Sequence, residues 1–158
     1  MSIRGLSIVA AVLAGAWGGC DRTEPGPPTV TIRETVWQVE LATTVDQRYR
    51  GLSERSDMPD GRGMLFIYPA PAIRGFCMRQ CLIDLDIAFI GPDRRVVQVY
   101  TMTVEPDGIG SVAYSSQAPA QWVLETAAGA LARAGVAVGD LVSFSSGVPE
   151  AAKAAPDK

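Results

Sequence analysis

Ile83-Asp84-Leu85-Asp86-Ile87-Ala88-Phe89-Ile90-Gly91-Pro92-Asp93, followed after two arginines by Val96-Val97-Gln98-Val99-Tyr100-Thr101-Met102-Thr103, is the stretch whose reading decides the fold. Its first part is a short apolar run rich in β-branched and aromatic residues, too brief for a buried helix. Gly91-Pro92-Asp93 is a turn signal, because glycine and proline punctuate regular structure. Val96 to Thr103 partly alternates, as a half-exposed strand does. Two strands separated by a turn are therefore expected here.

Outward from this block, strand signals dominate. Thr29 to Thr43 carries Val30, Ile32, Val36, Trp37, Val39 and Leu41, largely alternating. Met64-Leu65-Phe66-Ile67-Tyr68 reads as a buried strand ended by Pro69. Gln121 to Glu125 and Leu141 to Phe144 complete the set. Helix is scarce. Thr44 to Leu52 fits one, with Thr43 or Thr44 as N-cap and Gly51 near its end. Ala127 to Ala134, closed by Gly135, fits a second. The expected class is α+β: a small curved sheet or partly closed β-barrel with two short helices. Residues 29–146 would form this single domain, and 147–158, proline- and alanine-rich, a flexible tail.

Composition narrows function by exclusion. The chain has 158 residues, 47% of them hydrophobic and 20% charged, and a formal charge of −3. Nucleic acid is not an expected partner, since phosphate neutralisation needs clustered Lys and Arg. Histidine is absent. That removes Ser-His-Asp and Cys-His catalysis and His-ligated zinc. The two lysines, Lys153 and Lys158, lie in the tail, which argues against a Ser-Lys pair with Ser111, Ser115 or Ser116. Gly108-Ile109-Gly110-Ser111 lacks the spacing and lysine of a phosphate loop. No cofactor and no metal site is expected.

The N-terminus reads as an address. Leu6 to Trp17 is uncharged after Arg4, long enough for a signal-peptide core and shorter than the roughly 20 residues that span a bilayer. Gly18-Gly19-Cys20 follows and resembles a bacterial lipoprotein signal, in which the cysteine is lipidated and becomes the new N-terminus. On this reading residues 1–19 are a signal peptide, Cys20 carries the lipid, and 20–28, with Pro25, Gly26, Pro27 and Pro28, is a tether. The protein would be exported and held on the cell envelope, facing the periplasm or exterior. The alternative is secretory cleavage after Ala14-Gly15-Ala16, which leaves Cys20 a free thiol.

From about Val36 to Phe144 the chain resembles the family labelled domain of unknown function 192. The likeness rests on Arg48, Arg50-Gly51-Leu52, Arg55 and Gly63-Met64-Leu65-Phe66. It continues through the central block from Phe76 to Ile90, then Val123-Leu124-Glu125, Gly129, Gly135-Val136 and Val138-Gly139-Asp140. Cys77, Gln80, Cys81 and Asp84 stand where the family usually has Trp, Asn, Thr and Pro. The resemblance implies an exported α+β domain and brings no activity with it.

Three groups of residues carry chemistry. Cys77 and Cys81, spaced C-x₃-C, would sit about 13 Å apart in one strand. If Met78-Arg79-Gln80 is a tight loop between facing strands, they would approach to about 5.5 Å and bridge. A disulfide is the first expectation, ahead of two buried thiols or a redox or metal role. Asp84 and Asp86 would share one strand face at about 6.6 Å, close enough for acid/base work or calcium. Alternatively Asp86 caps backbone amides or pairs with an arginine. Arg48 and Arg55, with Arg74 and Arg79 nearby, form a cluster that could clamp an anion beside a groove, or pair with Asp46, Glu54, Asp57 and Asp60 on a solvated surface. Glu125 is read as a strand-end partner for one of them. Arg48, Arg55, Arg74, Arg79, Asp86 and Glu125 are thus the candidate ligand-binding residues. A non-enzymatic domain binding a small anionic ligand or an envelope protein is favoured; the alternatives are a dithiol oxidoreductase and a carboxylate-based hydrolase.

Overall fold

A computed structural model describes residues 26–150. The signal peptide, Cys20, most of the tether and residues 151–158 lie outside the described residues. The strands are β1 (Thr29–Ile32), β2 (Thr35–Ala42), β3 (Arg62–Ala72), β4 (Gly75–Phe76), β5 (Leu85–Ile90), β6 (Val96–Met102), β7 (Tyr114–Ser115), β8 (Ala120–Ala127) and β9 (Val142–Phe144). The helices are α1 (Val45–Arg50) and α2 (Ala130–Arg133). Seven strands form one sheet in the order β6-β5-β8-β3-β2-β1-β9; β4 and β7 make a small second sheet. Among the described residues no helix is long and apolar enough to cross a membrane.

The sheet curls until its two ends meet. Arg95 and Leu141 form an antiparallel bridge. Val96 N donates to Asp140 O at 2.9 Å, and Val142 N donates to Arg94 O at 2.8 Å. The α+β, partly closed barrel expected from the sequence is what forms. Its interior is filled by alternate residues of all seven strands, among them Val30, Trp37, Leu65, Ile90, Val96, Trp122 and Val142. Leu131 of α2 also packs into this interior. The opposite face of β3, β8 and β5 is buried too, under Leu52, Met78 and Cys81. This second, outer core explains why every residue of β5 is buried: a strand covered on both faces reads as a continuous apolar run.

The strand–turn–strand reading of 83–103 holds, with β5 and β6 paired antiparallel from Leu85↔Met102 onward. The single long strand expected over 29–43 is instead two. Arg33 adopts φ 55° and the chain reverses there, so that Ile32 pairs with Thr35. Neither Arg33 nor Glu34 carries the Gly or Asn that marks such turns. β3 runs through Pro69 because the β3–β8 register shifts between Ile67 and Ala72, which spares the proline a ladder donor. The second helix is a single turn, Ala130–Arg133, since Ala127 still belongs to β8 and Gly129 holds a left-handed φ of 78°.

The parallel pair β2–β3 needs a crossover, and α1 supplies it. The helix has a capping box: Thr44 Oγ1 accepts from Gln47 N at 3.2 Å, and Gln47 Oε1 accepts from Thr44 N at 3.1 Å. Gly51 ends it at φ 49°, ψ −131°, a conformation that favours glycine. A side chain there would also meet Phe66 Cζ at 3.3 Å. A six-residue helix so capped presents its last turn at a fixed place against the outer core.

Candidate functional site

That last turn borders a cavity of about 210 Å³ on the outer face of the sheet. One wall is Arg48, Tyr49 and Arg50 of α1 with Leu52 and Ser53 after it. Phe66 and Tyr68 of β3, Phe76 of β4, and Cys77, Arg79 and Cys81 of the following loop supply the rest. Glu125 of β8 lines it from the sheet.

The 77–84 loop is held from three sides. Met78 is fully buried and anchors it to the outer core. Ser53 Oγ donates to Arg79 O at 3.0 Å, and Glu54 N to Gln80 O at 2.7 Å. Gln80 N donates to Gly108 O at 3.0 Å, which ties the loop to the 103–113 segment. This arrangement corrects the expected disulfide: Cys77 and Cys81 are both free thiols, the first exposed and the second buried. The bridge required them on two facing strands. β4, which precedes Cys77, pairs with β7 and not with β5, and Cys81 N closes a turn onto Met78 O at 3.1 Å. Burial pushes the Cys81 thiol up to about 11, helped by Glu125 and Cys77 nearby. Its Sγ lies 3.7 Å from Arg79 O, which it donates to.

The arginines divide into braces and one open cation. Arg48 Nη1 donates to Thr43 O at 2.8 Å and Ile67 O at 2.9 Å, joining the start of α1 to β3. Its guanidinium also lies 4.9 Å from the centre of the Tyr68 ring. Arg79 Nη2 donates to Tyr49 O at 2.7 Å, with the guanidinium 4.2 Å from the centre of the Tyr49 ring. The guanidinium of Arg50, an exposed residue, has no hydrogen-bond or ion-pair partner among the described residues. The cluster expected from the sequence comprised Arg48, Arg55, Arg74 and Arg79, and not Arg50. Arg74 stands over the other side of the Tyr68 ring at 3.8 Å and donates to Ala70 O, outside the cavity lining. Arg55 forms a two-pronged ion pair with Glu40, at 2.6 and 2.9 Å, and lines a neighbouring depression instead. That pair holds the Glu40 carboxyl below its ordinary value. Of the acidic partners expected for these arginines, Asp60 pairs with Arg133.

Glu125, expected as a strand-end partner of an arginine, stands elsewhere in the fold. It is not at a strand end: it lies in mid-β8, in register with Met64 on one side and Ile87 on the other. Only 4% of it is exposed. Its carboxyl has no hydrogen-bond or ion-pair partner among the described residues. Burial pushes its carboxyl up to about 8, so it stays protonated at neutral pH. A glutamate closing the apolar run Trp122-Val123-Leu124 was the one sequence signal for it; its position inside the sheet was not readable there.

Asp84 and Asp86 do not form an acid pair. Asp84 is exposed, precedes β5, and accepts from Val104 N at 2.7 Å. Asp86 is buried and uses both oxygens, from Thr101 Oγ1 at 2.7 Å and from Leu131 N at 2.9 Å. It caps the backbone of α2, away from the cavity, as its capping alternative had it. Among the described residues no group of three or more Cys, Asp or Glu side chains is placed to hold a metal ion.

With this geometry in hand, the family comparison is decisive. The sequence model of DUF192, an uncharacterized ACR family, matches residues 28–144. The chain belongs to the DUF192 family. Among solved structures, a protein of unknown function from Novosphingobium aromaticivorans superposes with a TM-score of 0.67 at 34% identity, covering 73% of this chain and 83% of that one. A protein from Sinorhizobium meliloti, proposed to be a transcription regulator, superposes with a TM-score of 0.69 at 28% identity, covering 78% of this chain and 97% of that one. No curated protein matches this DUF192 chain. The family places the fold and leaves the chemistry to be argued from the cavity.

Proposed function

We propose that the protein is an exported, lipid-anchored envelope protein whose DUF192 domain binds a small anionic ligand in the α1 cavity. The observation that carries the binding is the charge of that cavity. Three guanidinium groups, from Arg48, Arg50 and Arg79, line it, against one carboxyl that burial keeps neutral. Arg48 and Arg79 are spent as braces, yet their charge stays. Arg50 is the group left to meet a ligand, and guanidinium geometry suits carboxylate and phosphate. Support for export comes from the uncharged Leu6–Trp17 stretch and Gly18-Gly19-Cys20.

Two measurements test the reading. Calorimetric titration of the full-length protein with acetate and with inorganic phosphate should give saturable heat, weakened by Arg50→Ala about tenfold, or about 1.4 kcal/mol. No heat with either anion ends the binding reading. Intact mass of membrane-extracted protein should lack residues 1–19 and carry acyl chains; a mass with Met1 retained ends the anchoring one.

A further inference from the structure

We propose that the ligand of the α1 cavity is a small zwitterion, an α-amino acid or a compound of that charge pattern, whose ammonium meets Glu125 and whose anionic group meets Arg50. This rests on the anionic-ligand reading and deepens it. The starting point is a buried carboxyl without a partner. Removing such a group from water is unfavourable unless something on the inside compensates. Glu125 stands in the centre of β8, where an apolar residue would suit both neighbours, Met64 and Ile87. An anion alone would leave Glu125 no more than one neutral donor to offer, whereas a ligand that also carries a cation gives this carboxyl an opposite charge to pair with.

The layout of charge separates two ends. Arg50, uncommitted and exposed, is on α1; Glu125, uncommitted and buried, is on the sheet. An ammonium supplies three hydrogen-bond donors and the opposite charge to a carboxylate. Leu52, Phe66, Tyr68 and Phe76 line the same cavity and suit a carbon skeleton. Phe66 and Phe76 meet edge to face, with centres 5.0 Å apart, and aromatic rings near a carboxylate favour a cation. At about 210 Å³ the cavity lies below the range of roughly 300–1,000 Å³ typical of drug-sized ligands, and so suits a molecule of amino-acid size.

The proton inventory gives the inference its own signature. The titratable groups that line the cavity with Glu125 are the Cys81 and Cys77 thiols from the loop and the Tyr49 and Tyr68 phenols; the charged ones are Arg48 and Arg50 from α1 and Arg79. The residues in register with Glu125, Met64 on β3 and Ile87 on β5, do not titrate. In the empty cavity Glu125 holds its proton at neutral pH. An arriving ammonium favours the carboxylate, and the displaced proton passes to the buffer. Acetate displaces no proton from Glu125.

The test is calorimetry on the full-length protein at pH 7, repeated in buffers of different ionisation enthalpy. The probes are L-alanine and L-leucine, with acetate and ethylamine as the separate halves. At least one amino acid should bind about tenfold or more tightly than either half. It should also release close to one proton, about 0.9 for a carboxyl that titrates near pH 8. Glu125→Gln, nearly isosteric, should weaken that amino acid about tenfold and abolish the proton release. Arg50→Ala, a surface change that leaves the fold untouched, should weaken the amino acid and acetate alike. Acetate binding as tightly as both amino acids, or binding without proton release, overturns the zwitterion and leaves the anionic reading standing. No heat from acetate, phosphate or either amino acid overturns both.

Discussion

A Cβ on Gly63 would stand 2.5 Å from the carbonyl oxygen of Glu125 and 3.2 Å from Leu124 Cδ1. Gly63 is in register with Thr126, so β3 runs directly beside the stretch of β8 that carries Glu125. The obstacle is backbone, which cannot rotate aside as a side chain can. Gly63→Ala should therefore push the two strands apart and destabilise by about 2–3 kcal/mol, measured by urea unfolding. Because the shift falls beneath Glu125, the same variant should also lose ligand heat. A melting temperature within about one degree of the wild type would show that the sheet absorbs the methyl group.

Glu125 makes stability depend on pH in an unusual direction. Its folded value, about 8, lies above the 4.5 of an ordinary glutamate. Between those two values the folded protein holds a proton that the unfolded chain has lost, so stability falls as pH rises through that window. Below it both states are protonated, and above it both are ionised. The loss across the window is on the order of a few kcal/mol. Glu125→Gln should flatten the profile between pH 5 and 8, read from urea midpoints at each pH. A wild-type profile that rises over this range would mean that the carboxyl has found a counter-charge.

Much of the fold was legible because it follows from local rules. The β5–β6 pair could be read from an apolar run, a Gly-Pro-Asp turn and a partly alternating run. The start and end of α1 could be read from Thr44 and the glycine after Arg50. What was not legible depended on partners far along the chain. Arg33 gives no turn signature, so β1 and β2 read as one strand. The Cys77–Cys81 bridge was argued from a pairing of β4 with the following strand, whereas β4 pairs with Tyr114–Ser115, nearly forty residues away. Helical spacing put Arg48 and Arg55 on one face, whereas they line different depressions and it is Arg79 that joins Arg48. Spacing could not tell that backbone carbonyls would occupy Arg48 and Arg79 and leave Arg50 open, or that Glu125 would lie inside the sheet.

Asp86 joins two elements through one carboxyl group, accepting from Thr101 on β6 and from the Leu131 amide on α2. Asp86→Ala leaves a buried amide and a hydroxyl without acceptors, which should cost about 2–4 kcal/mol in denaturant unfolding. Asp86→Asn keeps one acceptor oxygen and should recover part of it. Since Asp86 lies away from the α1 cavity, ligand affinity in the folded variant should stay within about twofold of wild type, a few tenths of a kcal/mol. A larger drop would tie the two regions together.

The 103–113 segment governs where Arg79 stands. A Cβ on Gly110 would fall 2.8 Å from Arg79 N and 3.0 Å from its Cα, and Gly110 has φ 78°. Glu105 holds this segment in shape, its carboxylate accepting from Ser111 N at 2.6 Å and Val112 N at 3.0 Å. Gly110→Ala brings both strain and a backbone clash, about 1–3 kcal/mol together. The cavity wall should move with it, so anion affinity should fall more than in Gly139→Ala. Gly139 also has positive φ, yet nothing lies within 4 Å of its Cβ position. Equal affinities in the two variants would detach the 103–113 segment from the site.

Cys77 and Cys81 line one cavity but differ in what reaches them. Cys77 is exposed, while Cys81 is 8% exposed with its thiol held near 11. Only the thiolate attacks an aromatic disulfide reagent, so at pH 8 Cys77 should react fast and Cys81 orders of magnitude more slowly. Cys77→Ser should remove one fast equivalent, and Cys81→Ser should leave the fast phase as it was. Ligand bound in the cavity should slow Cys77 as well, because both contact the same space. Two thiols absent from the count until reductant is added would mean that the chain, once exported, bridges them after all. In that event the 77–84 loop must leave the turn that Met78 and Cys81 now close.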